Sequence, residues 1–223
     1  KAAHAGGAKL IIDNTWASPL YFKPFDHGVD VSVQAITKYL CGHSDVMMGS
    51  ITATEEAART VLATHGSLGV TVAPDDVYLV LRGMRTLSVR LERHMKTGIA
   101  LARWFAGRPE VSRVLHPALP TDPGHELWKR DFTGASGLFS IVLKPCPDAA
   151  ISAMLDHLEY FGMGWSWGGY ESLIVPQDIH GIRTATPLSF EGPIIRIHAG
   201  LEDPDDLLAD LEAGFARFNA ALG

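Results

Sequence analysis

Lys38 stands where an ammonium group is least expected. Val31, Val33, Ala35 and Ile36 read as a mostly apolar strand that closes at Thr37. After Lys38 the chain turns through the small and polar run Cys41, Gly42, His43, Ser44 and Asp45 into a second apolar run, Val46 to Ile51. Burial lowers a lysine's pKa towards a free, nucleophilic amine, which suits a Schiff base with a carbonyl, that of pyridoxal phosphate included. The alternative is an ordinary surface lysine in a turn. Asp13 directly follows the apolar Leu10, Ile11 and Ile12. A carboxylate at a strand's C-terminal end lies where α/β sites form, and there it could keep a pyridinium nitrogen protonated; otherwise it is a local Asx-turn or cap. Arg196 sits inside the apolar run "PIIRIHAG", as a fork for a carboxylate ligand or as half of a structural salt bridge. The stretch "GMGWSWGGYESLIVP" sets a serine and glycines among Trp165 and Trp167, as a substrate-facing loop or as a bend with core aromatics.

Other constellations carry less. "HSD" at 43–45 has the letters of a catalytic triad, but triad members come from separate segments. "HELWK" at 125–129 lacks the second histidine of a zinc-protease motif. The ten histidines show no ligand spacing, so no metal is expected, and neither a Walker loop nor GxGxxG occurs. Cys41 reads as a small hydrophobe.

The elements that must position these residues alternate between strand and helix. Strands are expected at Leu10–Ile12, Val29–Ile36, Val46–Ala53, Val111–Leu115, Leu138–Leu143, Trp165–Val175 and Ile194–His198. A helix capped by Thr54, with Glu55 and Glu56 in its first turn, should close at Gly66, and another opens at Pro74. From Arg85, apolar residues Leu87, Leu91, Met95, Ile99, Ala102 and Phe105 recur at helical spacing up to Gly107 and Pro109. Helices are also expected over Asp148–Tyr160 and from the Asp203 cap through Leu207, Leu211, Phe215 and Phe218. The pattern is α/β, with the end of a larger domain over residues 1–84 and a smaller α/β domain, opened by the long helix, over 85–223.

Composition narrows the function. A 223-residue chain with 47% hydrophobic and 20% charged residues buries a sizeable core. A net charge of −6 with no Lys/Arg run argues against nucleic acid, and no apolar stretch is long enough to span a bilayer. Two distant cysteines fit a reducing compartment such as the cytoplasm. "KAAHAGGAKLIIDNT" has no initiator Met and reaches its first apolar run within about ten residues, so it reads as the later part of a longer protein.

Together the stretches "DNTWASPLYFKPFDHGVDVSVQAITKYLCGHSDVMMG", "RGMRTLSVRLERH", "HPALP", "GASGLFSIVL", "WSWGGYESL" and "IRIHAGLED" resemble, in this order, the Cys/Met-metabolism pyridoxal-phosphate enzymes. The resemblance spans essentially the whole chain and is most specific from Asp13 to Gly49. It implies a fold-type-I, transferase-like subunit comprising the end of the large cofactor domain and the small C-terminal domain, assembled as a cytoplasmic homotetramer. Lys38 matches the lysine that forms the Schiff base with pyridoxal 5'-phosphate, Asp13 the acid on the pyridine nitrogen, and Thr37 a hydroxyl donor to the phosphate. Arg196 matches the arginine that grips the substrate α-carboxylate, helped by Ser166 and Trp167. The tryptophan after the serine in "SWGGYES" is similar to the bacterial members that cleave L-cystathionine by β-elimination to homocysteine, pyruvate and ammonia in methionine biosynthesis. The γ-eliminating members more often carry leucine there; γ-elimination, or a non-catalytic truncated subunit or binding module, is the alternative. Ala35 replaces a serine common in the family, removing one hydroxyl from the phosphate. The family's glycine-containing phosphate turn, its ring-stacking tyrosine, and the tyrosine and arginine lent by a neighbouring subunit would lie upstream of Asp13, so these residues amount to half a site.

Overall fold

The computed structural model describes residues 1–223 apart from His180, Thr184 and Pro187. After a short first helix, α1 (Ala2–Ala5), strand β1 (Ile11–Asp13) lies parallel to β2 (Val31–Ala35). The connection between them contains the short helix α2 (Ser18–Tyr21). Strand β3 (Gly49–Ala53) pairs antiparallel with β2 on its other side, giving the order β1-β2-β3. The strand expected from Val46 therefore starts at Gly49. Residues 36–48 are needed for the turn that carries Lys38, where Cys41 N–H donates to Ile36 O at 2.9 Å and Gly42 N–H to Lys38 O at 2.8 Å. Gly42 adopts a left-handed φ of 74° to close it.

Helix α3 (Glu55–Leu68) begins where Thr54 Oγ1 accepts from Ala57 N–H. It runs through Gly66 and closes at Gly69, whose φ of 63° gives the left-handed cap that Gly66 was expected to supply. Helices α4 (Pro74–Arg85) and α5 (Leu87–Ala106) follow, separated by Thr86. The ends of α5 bury Leu87 and Leu91, then Leu101, Ala102 and Phe105, as the apolar spacing requires. Its middle differs: Arg90, His94, Thr97 and Gly98 are buried, while Met95 and Ile99 are only half-buried. The reason is a close crossing, since a Cβ on Gly98 would come within 3.1 Å of Gly137 Cα.

The second sheet is antiparallel with the order β4-β5-β7-β6, built from β4 (Val111–Leu115), β5 (Leu138–Leu143), β6 (Leu173–Gln177) and β7 (Ile194–His198). Helix α6 (His125–Asp131) holds the "HELWK" segment. Helices α7 (Asp148–Leu155) and α8 (Pro204–Leu222) pack on each other and on the sheet. The helix expected to reach Tyr160 stops at Leu155, because the backbone N–H groups of Glu159, Tyr160 and Phe161 turn instead to the Asp210 carboxylate of α8. The strand expected over 165–175 forms only from Leu173, and residues 165–172 are a loop.

Two apolar clusters result. Ile36, Tyr39, Leu40, Val46, Val80, Leu87 and Leu91 form one, beneath the Lys38 turn. The other gathers Leu101, Phe105, Ile141, Ile195, Leu211 and Phe215 between the second sheet and its helices. Helix α5 belongs to both, and each fully buried Leu or Phe contributes about 1.5–3 kcal/mol. Polar bonds stitch the sheets together: Gly137 N–H donates to the Tyr39 hydroxyl at 3.0 Å, and Trp16 Nε1 to Leu138 O at 2.9 Å. Among the described residues no helix is long and apolar enough to cross a membrane.

Candidate active site

The backbone around Lys38 is clamped before and after it. Thr37 N–H and Oγ1 both donate to Met48 O at 3.2 Å, and Thr37 Oγ1 accepts from Met48 N–H at 3.0 Å. Beyond it, the buried Arg90 of α5 donates to Tyr39 O at 2.9 Å, to Gly83 O at 2.7 Å and to Thr86 Oγ1 at 3.1 Å. The Lys38 side chain leaves this fixed turn towards the 164–169 loop. There Nζ donates to Ser166 Oγ at 2.7 Å and lies 5.4 Å from the centroid of the Trp167 ring. Burial, and then the charge of Arg196, lower the Lys38 pKa from its ordinary value. The aromatic face favours the charged form, but the net direction is towards the free amine.

The loop approaches Lys38 closely because of one glycine. Gly168 has a φ of 85°, and a Cβ there would lie 2.8 Å from both Lys38 C and Tyr39 N. Only a residue without a side chain lets Trp167 and Ser166 reach the amine. On β7, Arg196 pairs in register with Ser140 and Val175 and donates through Nη2 to the carbonyls of Gly164 (3.2 Å), Trp165 (2.7 Å) and Ser166 (3.3 Å). No carboxylate among the described residues pairs with it, and burial lowers its pKa. The carbonyls orient the guanidinium without neutralising it. Lys38 and Arg196 thus bring two cationic groups together beside the 164–169 loop, an arrangement suited to an anionic group.

Asp13 ends β1, on the same sheet edge from which β2 runs into Lys38. Its Oδ1 accepts from the Thr15 N–H at 2.9 Å and from the Thr15 hydroxyl, whose oxygen in turn accepts from Ala35 N–H at 2.9 Å. The local Asx-turn is therefore real, and it fixes an exposed carboxylate relative to the end of β2. No hydrogen bond or ion pair among the described residues joins Asp13 to Lys38. The structure gathers Lys38, Ser166, Trp167 and Arg196 in direct contact, and places Asp13 and Thr37 at the same strand ends.

A family model described as Cys/Met metabolism PLP-dependent enzyme matches residues 1–216. The chain belongs to this family. The cystathionine beta-lyase of Escherichia coli K12 is 50% identical over 214 residues, covering 94% of this chain and 54% of its own length. The L-alanine/L-glutamate racemase of Wolbachia pipientis wMel is 47% identical over 211 residues, covering 93% and 52%. A crystal structure of cystathionine gamma synthase from Xanthomonas oryzae pv. oryzae in complex with cystathionine superposes with a TM-score of 0.89 at 37% identity, covering 99% of this chain and 58% of that one. The chain spans about half the length of the curated relatives it matches. The fold is that of the fold-type-I members of this Cys/Met-metabolism family.

The donor set of this chain fits the family's cofactor at two of its three handles. A desolvated amine is matched to an aldehyde, and an exposed carboxylate at a strand end to a ring nitrogen. For the phosphate, Ala35 offers no hydroxyl, and Thr37 must trade its bond to Met48 O to serve it. Among the described residues, no three His, Cys, Asp or Glu side chains are grouped to hold a metal ion. Sequence reading passed over Thr15, Arg90 and His198. Thr15 was visible as the third residue of "DNT", but the partners of the others lie far away in sequence.

Proposed function

We propose that the protein containing this chain is a pyridoxal-phosphate carbon–sulfur lyase that cleaves L-cystathionine by β-elimination to homocysteine, pyruvate and ammonia. The observation that carries the reading is the Lys38 amine, held by Ser166 Oγ at 2.7 Å and depressed in pKa beside Arg196, with which no carboxylate among the described residues pairs. The β-lyase name carried by the Escherichia coli relative at 50% identity supports the reaction type. Division of the chain at residues 84 and 85, a cytoplasmic homotetramer and a place in methionine biosynthesis belong to the same proposal.

In this reading Arg196 receives the substrate α-carboxylate, satisfying the uncompensated guanidinium bidentately. That contact orients the Cα–H bond towards Lys38. Ser166 Oγ holds Nζ within reach, and the free amine takes the Cα proton there. Trp167 covers one side of Nζ and limits water at the proton-transfer step. Pyridoxal phosphate, when bound, supplies the electron sink that accepts the charge left on Cα. Asp13 serves that sink by holding the ring nitrogen protonated, and Thr37 would offer its hydroxyl to the phosphate by giving up its bond to Met48 O. The thiolate then leaves from Cβ and takes up a proton to give homocysteine, and the unsaturated three-carbon fragment is hydrolysed by one water to pyruvate and ammonia.

The test is product analysis of the full-length holoprotein with L-cystathionine. Pyruvate and homocysteine in equal amounts support the proposal. Production of 2-oxobutyrate would assign γ-elimination instead. Interconversion of L- and D-alanine without cleavage would favour the activity named for the Wolbachia relative.

A further inference from the structure

His198 takes no part in the chemistry above, yet it lies directly behind it. It sits two residues after Arg196 on β7, so the two side chains leave the same face of the strand. Arg196 ties down the carbonyls of residues 164–166, while His198 Nε2 accepts the Gly168 N–H at 3.0 Å and lies 3.2 Å from Gly169 O. The two side chains thus grip the loop on either side of Ser166 and Trp167. Gly168 is pressed between His198 and the Lys38 backbone, where even a methyl group would not fit. Rings wall in His198: Tyr39, with centroids 5.8 Å apart, and His94 of α5, 5.2 Å apart.

We infer that His198 is a positioning residue: as a neutral imidazole accepting at Nε2, it fixes Gly168 and so holds Ser166 and Trp167 against the Lys38 amine. Acceptance at Nε2 puts the ring proton on Nδ1, which is buried without a hydrogen-bond partner among the described residues. It also leaves Nε2 beside Gly169 O at 3.2 Å with no bond to it; the shorter Gly168 contact, at 3.0 Å, is the one that decides the tautomer. The charged and titratable groups facing the ring are His94 on α5, Lys38 and Tyr39 from the turn after β2, and Arg196 on its own strand. Burial and then His94 push its pKa down to about 3, so the neutral acceptor persists across the whole working range of an amine base. Protonation would turn the acceptor into a second N–H facing Gly168. The inference rests on the reading of Lys38 as the reacting amine, but its test needs no turnover, so either idea can fail alone.

The experiment compares His198→Gln with His198→Asn in the full-length protein. The Gln amide oxygen reaches the position of Nε2, whereas the Asn oxygen reaches only that of Nδ1. Two properties are read: hydrogen exchange of the 164–169 peptide, and, after removal of the cofactor so that the Lys38 amine is free, the pH profile of its labelling by an amine-reactive reagent. Loss of one hydrogen bond should raise exchange in H198N by up to about tenfold. The Lys38 profile in H198N should move up towards that of an ordinary lysine, and H198Q should restore both readouts. If H198N does not fold, H198F takes its place, keeping a ring between Tyr39 and His94 without the acceptor. Wild-type exchange and labelling in the acceptor-less variant would overturn the inference, as would equal disturbance in H198Q.

Discussion

At the scale of single residues, the site turns on what surrounds the Lys38 Nζ. Ser166 and the Trp167 face can accommodate an ammonium group, but burial and Arg196 work against it, and these prevail. Replacing Lys38 with alanine should lower turnover by about 10²–10⁴-fold or more, the span of a lost acid–base group, as measured by pyruvate release. Gly168→Ala forces a side chain into a left-handed φ and against Lys38, and should cost about 1–3 kcal/mol of stability in a urea titration. Lys38 and Arg196 were legible in the sequence because each interrupts an apolar run. Asp13 was legible as an acid ending a strand, and its Asx-turn with Thr15 bears out the local reading. His198 was not legible: a histidine in a strand says nothing of an acceptor aimed at a glycine 30 residues earlier.

At the scale of elements, β7 and α5 do most of the positioning. Strand β7 orients the loop that touches Lys38, and α5 clamps the Lys38 turn through Arg90 while filling two cores. Helix α5 was readable at both ends, where Leu87, Leu91, Ala102 and Phe105 keep helical spacing. Its middle was not, because Gly98 and His94 are selected by close packing against Gly137 and Tyr39. The ends of two other elements were misplaced for the same kind of reason: long-range polar partners took the backbone away. Asp210 collects three N–H groups beyond α7, and Arg196 collects three carbonyls before β6. Removing the first of these collectors has a definite cost. Asp210→Ala should destabilise the fold by about 2–3 kcal/mol, read from the urea midpoint, and Asp210→Asn by less.

At the scale of the whole molecule, three buried histidines make stability depend on pH. Burial pushes His94 and His116 down to about 4 and His198 to about 3, from an ordinary value of 6.5. Above 6.5 both folded and unfolded states hold these rings neutral. Below it the unfolded chain binds protons that the folded chain refuses, so stability falls as pH drops from 6.5 to about 4. Urea midpoints measured across that range should decline steadily, and His116→Phe should flatten the slope by the uptake of about one proton. The α/β class and the order of the main strands and helices could be read from periodicity. The joining of the two sheets through Tyr39, Trp16 and α5 could not, because it depends on contacts about a hundred residues apart. The central claim is that Lys38 is the amine that bonds the cofactor. Borohydride reduction of the full-length holoprotein, followed by peptide mapping, tests it most directly. A single pyridoxyl phosphate on the peptide containing Lys38 is the predicted result, whereas an adduct on another lysine, or none on a protein that carries the cofactor, would contradict it.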